Sequence, residues 1–218
     1  LPEHLHNNTW VVTRALEFLR RRDPTRPFFL NLSFHRPHAP LDPPQVYYDR
    51  YRDRPLPPVP IGDWAAAHRV PIEDVNAWHG RLSPALLDHA RRAYYAQIAH
   101  IDNQVGRLVM ELRRLVAEPT WYLFTSDHGE MLGDHDLFRK TYAYEGSAKT
   151  PLIVAPPCRV SRRCDAPVSQ EDLMPTMLEI AGAPIPASVE GRSLLPLLSQ
   201  SAEDAGWRPY VHGEHASC

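Results

Sequence analysis

From Tyr94 to Leu115 the apolar residues Tyr94, Ile98, Ile101, Val105, Leu108, Leu112 and Leu115 return in alternating steps of four and three. That spacing lays one stripe along a 3.6-residue period, the geometry in which a helix buries one face. Ser83-Pro84 in front supplies an N-cap followed by proline at the first helical position. The spacing therefore predicts a long helix opening at Pro84, on which the rest of the chain must pack. A second stripe, Val12, Leu16 and Leu19, predicts a helix over Asn8 to Arg22, with Asn8 or Thr9 to cap it and Asp23-Pro24 to stop it. A third helix is predicted from Asp172 to Ala181. Pro175 is tolerable there in the first turn, and Gly182 closes the far end.

Three short apolar runs lie between these helices: Pro27 to Phe34, Trp121 to Thr125 and Pro151 to Ala155. Their lengths and flanking prolines suit buried strands. Helices alternating with such strands predict an α/β fold, a layered, mostly parallel sheet flanked by helices. In sheets of that kind ligands bind beyond the carboxyl ends of strands. Two polar clusters, His35 with His38 and Asp127 with His128, follow directly on such runs. From Asp42 to Gly80 the chain is rich in proline with scattered Tyr, Trp and Arg and no apolar periodicity, which predicts a long surface excursion and a place for specificity. A sugar ring could stack there on Tyr47, Tyr48, Trp64 or Trp78, or these rings could pack on one another.

Composition narrows the function. The 218 residues carry 24 Lys and Arg against 26 Asp and Glu, a formal charge of −2, which gives no field for gripping a polyanion and argues against nucleic acid. No apolar run approaches the roughly 18 residues of a bilayer-spanning helix. Three cysteines allow at most one internal bridge and no disulfide framework. The chain opens Leu1-Pro2-Glu3 without an initiator Met or an apolar leader, so it is expected to be part of a longer protein, with any signal peptide upstream of Leu1. Localisation and oligomeric state are not legible.

Asp127-His128 sets a carboxylate beside an imidazole at a strand end. The oxygen suits a hard divalent cation such as Ca²⁺, and the nitrogen shades the choice towards Mn²⁺ or Zn²⁺. Two ligands are too few for a shell, and the same Asp could simply cap the next loop by hydrogen bonds. Gly133-Asp134-His135 repeats an acid-His pair that could supply more ligands or hold the loop by hydrogen bonds, with the structural role favoured. Lys140 could meet an oxyanion or stand as a solvated surface lysine. Of His35 and His38, one could protonate a leaving group. His100 and Asp102 read as packing or surface residues of the long helix, and His212 and His215 lie too near the chain end to assign. No Gly-x-Ser-x-Gly elbow, Walker loop, dinucleotide fingerprint, Cys-x-x-Cys or His-Glu-x-x-His is present.

Taken in order, these segments resemble the type I sulfatases of the alkaline phosphatase superfamily, across nearly the whole chain. Phe28-Phe29-Leu30-Asn31-Leu32-Ser33-Phe34-His35-Arg36-Pro37-His38-Ala39-Pro40 looks like the family's strand and leaving-group histidine, which falls on His38. Thr125-Ser126-Asp127-His128-Gly129-Glu130 looks like the late metal-binding segment, with ligands at Asp127 and His128. Lys140, ahead of Tyr144-Glu145-Gly146 and Pro151-Leu152-Ile153-Val154, matches the late lysine that contacts a sulfate oxygen. Asp172-Leu173-Met174-Pro175-Thr176 and Gly191-Arg192-Ser193-Leu194-Leu195 are structural landmarks. The resemblance implies an alkaline phosphatase-like fold, here incomplete. It also implies metal-dependent hydrolysis of a small-molecule or glycan sulfate ester, with Ca²⁺ as the expected ion and Mn²⁺ the alternative.

In that family the nucleophile is a formylglycine made in a Cys-x-Pro-Ser-Arg segment that precedes the part resembled here. The chain thus reads as the later portion of one catalytic domain, lacking the nucleophile and expected to be inactive and poorly stable by itself. Cys158-Arg159-Val160-Ser161-Arg162 imitates the nucleophile motif, but it follows the metal segment and has no helix behind it, so Cys158 reads as a loop cysteine, free or bridged to Cys164. Two alternatives stay open: a phosphonate monoester or phosphodiester hydrolase of the same superfamily, and a non-catalytic homologue that binds sulfated glycans.

Overall fold

The computed structural model describes residues 2–68, 72–73, 77–158 and 160–213. In chain order the elements are helix α1 (Asn7–Arg21), the one-turn α2 (Gln45–Tyr48), β1 (Ile72–Glu73), β2 (Ala77–His79), the long α3 (Pro84–Leu115), β3 (Tyr122–Thr125), β4 (Leu137–Arg139), the one-turn α4 (Glu145–Ala148), β5 (Leu152–Ala155) and α5 (Leu173–Ile180). They fall into two compact units. One holds the chain up to Thr120 together with Glu130–Ser147; the other holds Trp121–Gly129 and the described residues from Ala148 onward.

The first unit is built on α1 and α3, which pack on each other. Ser83 caps α3 as expected, its Oγ accepting from the Leu86 N–H at 3.3 Å. The cap of α1 is His6, whose Nδ1 accepts from the Asn8 N–H at 3.2 Å, and Asn8 itself is inside the helix. Val12, Ala15, Leu16 and Leu19 form the buried face of α1, each burial of a Leu side chain contributing roughly 1.5–3 kcal/mol. On α3 the buried stripe runs through Ala93, Ala96, Gln97, His100, Ile101, Gln104, Leu108 and Leu112, while Ile98 and Leu115 are exposed. The stripe is thus turned by about one residue over its first half, because Gln97, His100 and Gln104 face polar partners supplied by residues 3–42.

The excursion from Asp42 to Gly80 is less irregular than its composition suggests. It carries α2, a 3-10 turn at Asp63–His68 and the strands β1 and β2. These strands are two and three residues long, too short to leave a periodic signature, and β2 pairs antiparallel with β1 on one side and β4 on the other, Trp78 opposite Phe138. Pro27 to Phe34 departs from expectation in the other direction. Exposure alternates residue by residue along it, as in a strand, yet no ladder is formed with any described residue. Alternation needs only an extended backbone; a strand also needs a partner.

In the second unit β3 pairs with β5, Tyr122 opposite Ala155 and Thr125 opposite Leu152. This pairing, like every described pairing in the molecule, is antiparallel. The mixture of helices and strands matches the α/β expectation, but parallel pairing is not found among the described residues. Parallel neighbours need a crossover, usually a helix, and the only α-helix between β3 and β5 among the described residues is the four-residue α4. Helix α5 begins where expected. Asp172 lies ahead of it, fully buried, taking the N–H of Ser169 at 2.9 Å, the N–H of Arg192 at 2.8 Å and both forks of the Arg208 guanidinium. No helix among the described residues is long and apolar enough to cross a membrane.

Candidate functional site

His38 belongs to the proline-rich turn that follows the extended Pro27–Phe34 segment. Its Nδ1 lies 2.9 Å from the Ala39 carbonyl oxygen and its Nε2 lies 3.1 Å from Lys140 Nζ. A carbonyl can only accept and an ammonium can only donate. The neutral imidazole is therefore the Nδ1–H tautomer, with the Nε2 lone pair taking a proton from Lys140. Two residues named from the sequence, separated by 102 positions, meet in a direct hydrogen bond.

Lys140 is presented by a segment whose backbone is held in an uncommon shape. Leu132, His135, Asp136, Arg139 and Thr141 all have φ between 48° and 77°, so two left-handed residues flank the lysine. For residues with a Cβ this conformation costs roughly 1–2 kcal/mol each, and such positions persist where the surroundings over-determine them. Here the Glu130 carboxylate does so: Oε1 accepts the N–H of Leu132 at 3.1 Å and also the N–H of Arg139. Met131 N–H donates to the Arg139 carbonyl at 2.9 Å and Gly133 N–H to that of Leu137 at 2.8 Å. Sequence reasoning passed over Glu130 because a carboxylate that serves only backbone N–H groups has no motif.

Asp127 and His128 lie just past β3, in the second unit. His128 Nδ1 donates to the Gly129 carbonyl at 2.7 Å, which leaves Nε2 as the basic nitrogen, and Nε2 is 3.8 Å from Asp127 Oδ2. Two donors at that separation can share one cation at ordinary bond lengths of about 2.0–2.6 Å, and a hydrogen bond from the second ring nitrogen to a carbonyl is the usual way to orient a ligating histidine. The oxygen–nitrogen donor set fits a divalent cation. Asp127 is largely exposed, and among the described residues no group of three or more His, Cys, Asp and Glu side chains gathers into a metal cage. Ser126 Oγ donates to the His128 carbonyl at 2.7 Å, and the Gln170 amide donates to the carbonyls of Ser126 and Asp127, so the turn is pinned from both ends of its backbone. Gln170 also lacked any sequence signal.

The remaining candidates resolve into structural roles. His135 Nδ1 accepts from the Gly62 N–H at 2.9 Å and its own N–H donates to the Pro60 carbonyl at 2.8 Å, which ties down the excursion. Asp134 beside it has its carboxyl pushed up by burial. The aromatic residues offered for sugar stacking are engaged within the protein. Trp64 lies parallel to Tyr144 at 5.6 Å, Trp78 packs on Phe138 at 4.5 Å, Tyr47 is buried against His100 at 4.8 Å, and the Tyr48 hydroxyl bonds His89 Nδ1 at 2.7 Å. Arg36 donates to His35 Nδ1 at 2.5 Å. Cys158 and Cys164 are free and exposed rather than bridged. Asp102 is exposed on α3 and His100 fully buried. Arg159 and His215 lie outside the described residues.

The architecture places the chain among alkaline phosphatase-like α/β proteins. A phosphonate monoester hydrolase from Silicibacter pomeroyi superposes with a TM-score of 0.76 at 27% identity, over 95% of this chain and 44% of that one. The family model described as Sulfatase matches residues 6–183, and the chain belongs to the sulfatase family. An arylsulfatase from Clostridium perfringens is 44% identical over 98% of this chain and 46% of its own length. A protein from Trinickia caryophylli described as a multifunctional alkaline phosphatase superfamily protein is 34% identical over 98% of this chain and 45% of its own. The chain thus spans about half the length of the curated relatives it matches.

Proposed function

We propose that the protein carrying this chain hydrolyses a sulfate ester, with Asp127 and His128 holding a divalent cation, Ca²⁺ first and Mn²⁺ second, and with His38 and Lys140 engaging the ester. Membership of the sulfatase family supports the reaction class, and the 3.1 Å contact between Lys140 Nζ and His38 Nε2 is the observation that carries the residue roles. A bound cation would draw charge from the sulfuryl oxygens. Lys140 transfers its hydrogen bond from His38 to a sulfate oxygen when the anion arrives. His38, having taken a proton from solvent at the Nε2 that Lys140 vacates, gives that proton to the ester oxygen as the nucleophile bonds to sulfur and the sulfur–oxygen bond breaks, so the alcohol leaves neutral. The Ala39 carbonyl keeps the ring aimed throughout, because it holds Nδ1–H in both protonation states. The nucleophile is assigned to a formylglycine outside these residues.

The phosphonate reading keeps a place because the Silicibacter pomeroyi neighbour is a phosphonate monoester hydrolase, and sulfuryl and phosphoryl groups present similar tetrahedral oxyanions. Paired aryl sulfates and aryl phosphonates of one alcohol decide between them. The natural protein is expected to turn over the sulfate faster. His38→Ala is expected to slow phenyl sulfate by about 10²–10⁴-fold, and a better leaving group such as 4-nitrophenol by less. Faster phosphonate turnover would move the assignment to that class. Binding of sulfated sugars without turnover of either ester would make the protein a glycan binder.

A further inference from the structure

The turn that carries His38 is closed by contacts that the reaction itself does not use. Arg36 and Asp42 form a two-pronged ion pair across it, Nε to Oδ1 at 2.6 Å and Nη2 to Oδ2 at 2.8 Å. Such a fork fixes orientation as well as distance, so residues 36 and 42 are locked and His38 sits inside the ring they close. Gln97 reaches in from α3. Its side chain is wholly buried, and its amide nitrogen donates both to the Pro40 carbonyl at 3.0 Å and to Asp42 Oδ1 at 3.1 Å. Its Oε1 has no hydrogen-bond partner among the described residues. A buried amide with an idle acceptor is costly, and an apolar residue would serve a plain helix face better. What Gln97 accomplishes is at the turn.

The chain of contacts leads to one atom. Gln97 holds the carbonyl of Pro40, the next carbonyl back is that of Ala39, and Ala39 receives the Nδ1–H of His38. The position of the Ala39 carbonyl therefore sets, together with Lys140 at the opposite nitrogen, which nitrogen of His38 carries the proton.

We propose that Asp42 and Gln97 are positioning residues for His38, acting through Arg36 and the Pro40 backbone to reserve Nε2 for the ester. The kinetic consequence rests on the sulfatase reading; the structural consequence does not. Without either residue the Ala39 carbonyl is released, the imidazole samples both tautomers, and the proton donor is correctly placed only part of the time.

The test uses Asp42→Asn and Gln97→Met in the natural protein that carries this chain, with two readouts. Nitrogen NMR of the His38 ring is expected to show one tautomer, Nδ1–H, in the parent and a mixture in each variant. Turnover of a series of aryl sulfates is expected to show kcat lowered about 10–100-fold, by analogy with outer contacts that orient a functional histidine, with KM nearly unchanged and the loss greatest for poor leaving groups. Unchanged His38 nitrogen signals in folded variants overturn the proposal even if the parent is an active sulfatase. Altered signals with no sulfate turnover by the parent leave the positioning role standing and remove the sulfatase reading. Should Asp42→Asn fail to fold, Gln97→Met, which conserves volume, carries the test alone.

Discussion

Lys140 Nζ stands 3.1 Å from His38 Nε2, the one ring nitrogen that the Ala39 carbonyl leaves unprotonated in the neutral imidazole. The lysine is therefore a point-charge donor with a single aim. Lys140→Met is expected to lower kcat/KM for an aryl sulfate by about 10²–10³-fold, the usual loss when one donor to a developing oxyanion is removed. Lys140→Arg is expected to recover little of it, because a planar fork between two left-handed residues cannot put one N–H on the same point. Recovery to within a factor of ten of the parent would show that charge alone is required.

A cation held by Asp127 and His128 should stabilise the folded protein. At a concentration of 100 times its dissociation constant the gain is about 2.7 kcal/mol. Thermal unfolding with and without Ca²⁺ or Mn²⁺ measures it, and Asp127→Ala and His128→Ala are each expected to abolish the shift. Gln170→Ala is expected to diminish it, since the Gln170 amide fixes the backbone that sets the two ligands. Equal shifts in parent and Asp127→Ala would place the cation elsewhere.

Mild acid should loosen the first unit through its buried histidines. Burial holds the His100 pKa down to about 4, with the neighbouring His6 acting in the same direction and Glu3 against it. His6 is lowered too, chiefly by its own burial. The unfolded chain takes up protons at these histidines near pH 6.5 and the folded one does not, so their contribution to stability is complete above that pH and lost progressively as pH falls, for His100 towards about 4. For His100 the loss is on the order of 3 kcal/mol. Urea midpoints at pH 7.5, 5.5 and 4.5 are expected to fall in that order, and His100→Gln to flatten the slope. Asp42 and Asp172 act later: Arg36 holds the first low, and for Asp172 burial pushes upward but is outweighed by Arg208 and the two backbone N–H groups. Their contribution disappears only below about pH 4.

The second unit depends on the Asp172 hub. Arg208→Met leaves a buried carboxylate with only two backbone donors and is expected to cost about 3–5 kcal/mol, read by denaturant unfolding. Gly191→Ala should be at least as damaging. A Cβ there would fall 1.9 Å from the Glu171 carbonyl oxygen and 2.9 Å from the Asp172 nitrogen, against backbone that cannot turn aside. A soluble, fully stable Gly191→Ala protein would mean that the Glu171 backbone is placed differently.

What the sequence made legible was whatever repeats locally. The stripes of α1 and α3, the runs that became β3 and β5, and the opening of α5 are patterns within a few turns or a few residues. Asp127 and His128 stood out as a candidate pair because they adjoin at a strand end. His38 and Lys140 were named through family resemblance, and nothing in local spacing says that they meet. The failures have the same root. Extended geometry at Pro27–Phe34 was visible, but ladder formation depends on a distant partner; β1 and β2 were too short to show alternation; and Gln97, Glu130, Gln170 and Arg208 work through individual hydrogen bonds to particular backbone and side-chain groups, which leave no periodic trace.

The stretch from Leu132 to Thr141 bends five side-chain-bearing residues into a shape that glycine would adopt more easily. The sequence carries bulk there, and with it a built-in tension between endurance and sharpness. Anyone hardening this protein for heat or solvent would find relaxing that stretch an obvious gain, and would be filing down the mount that aims its lysine.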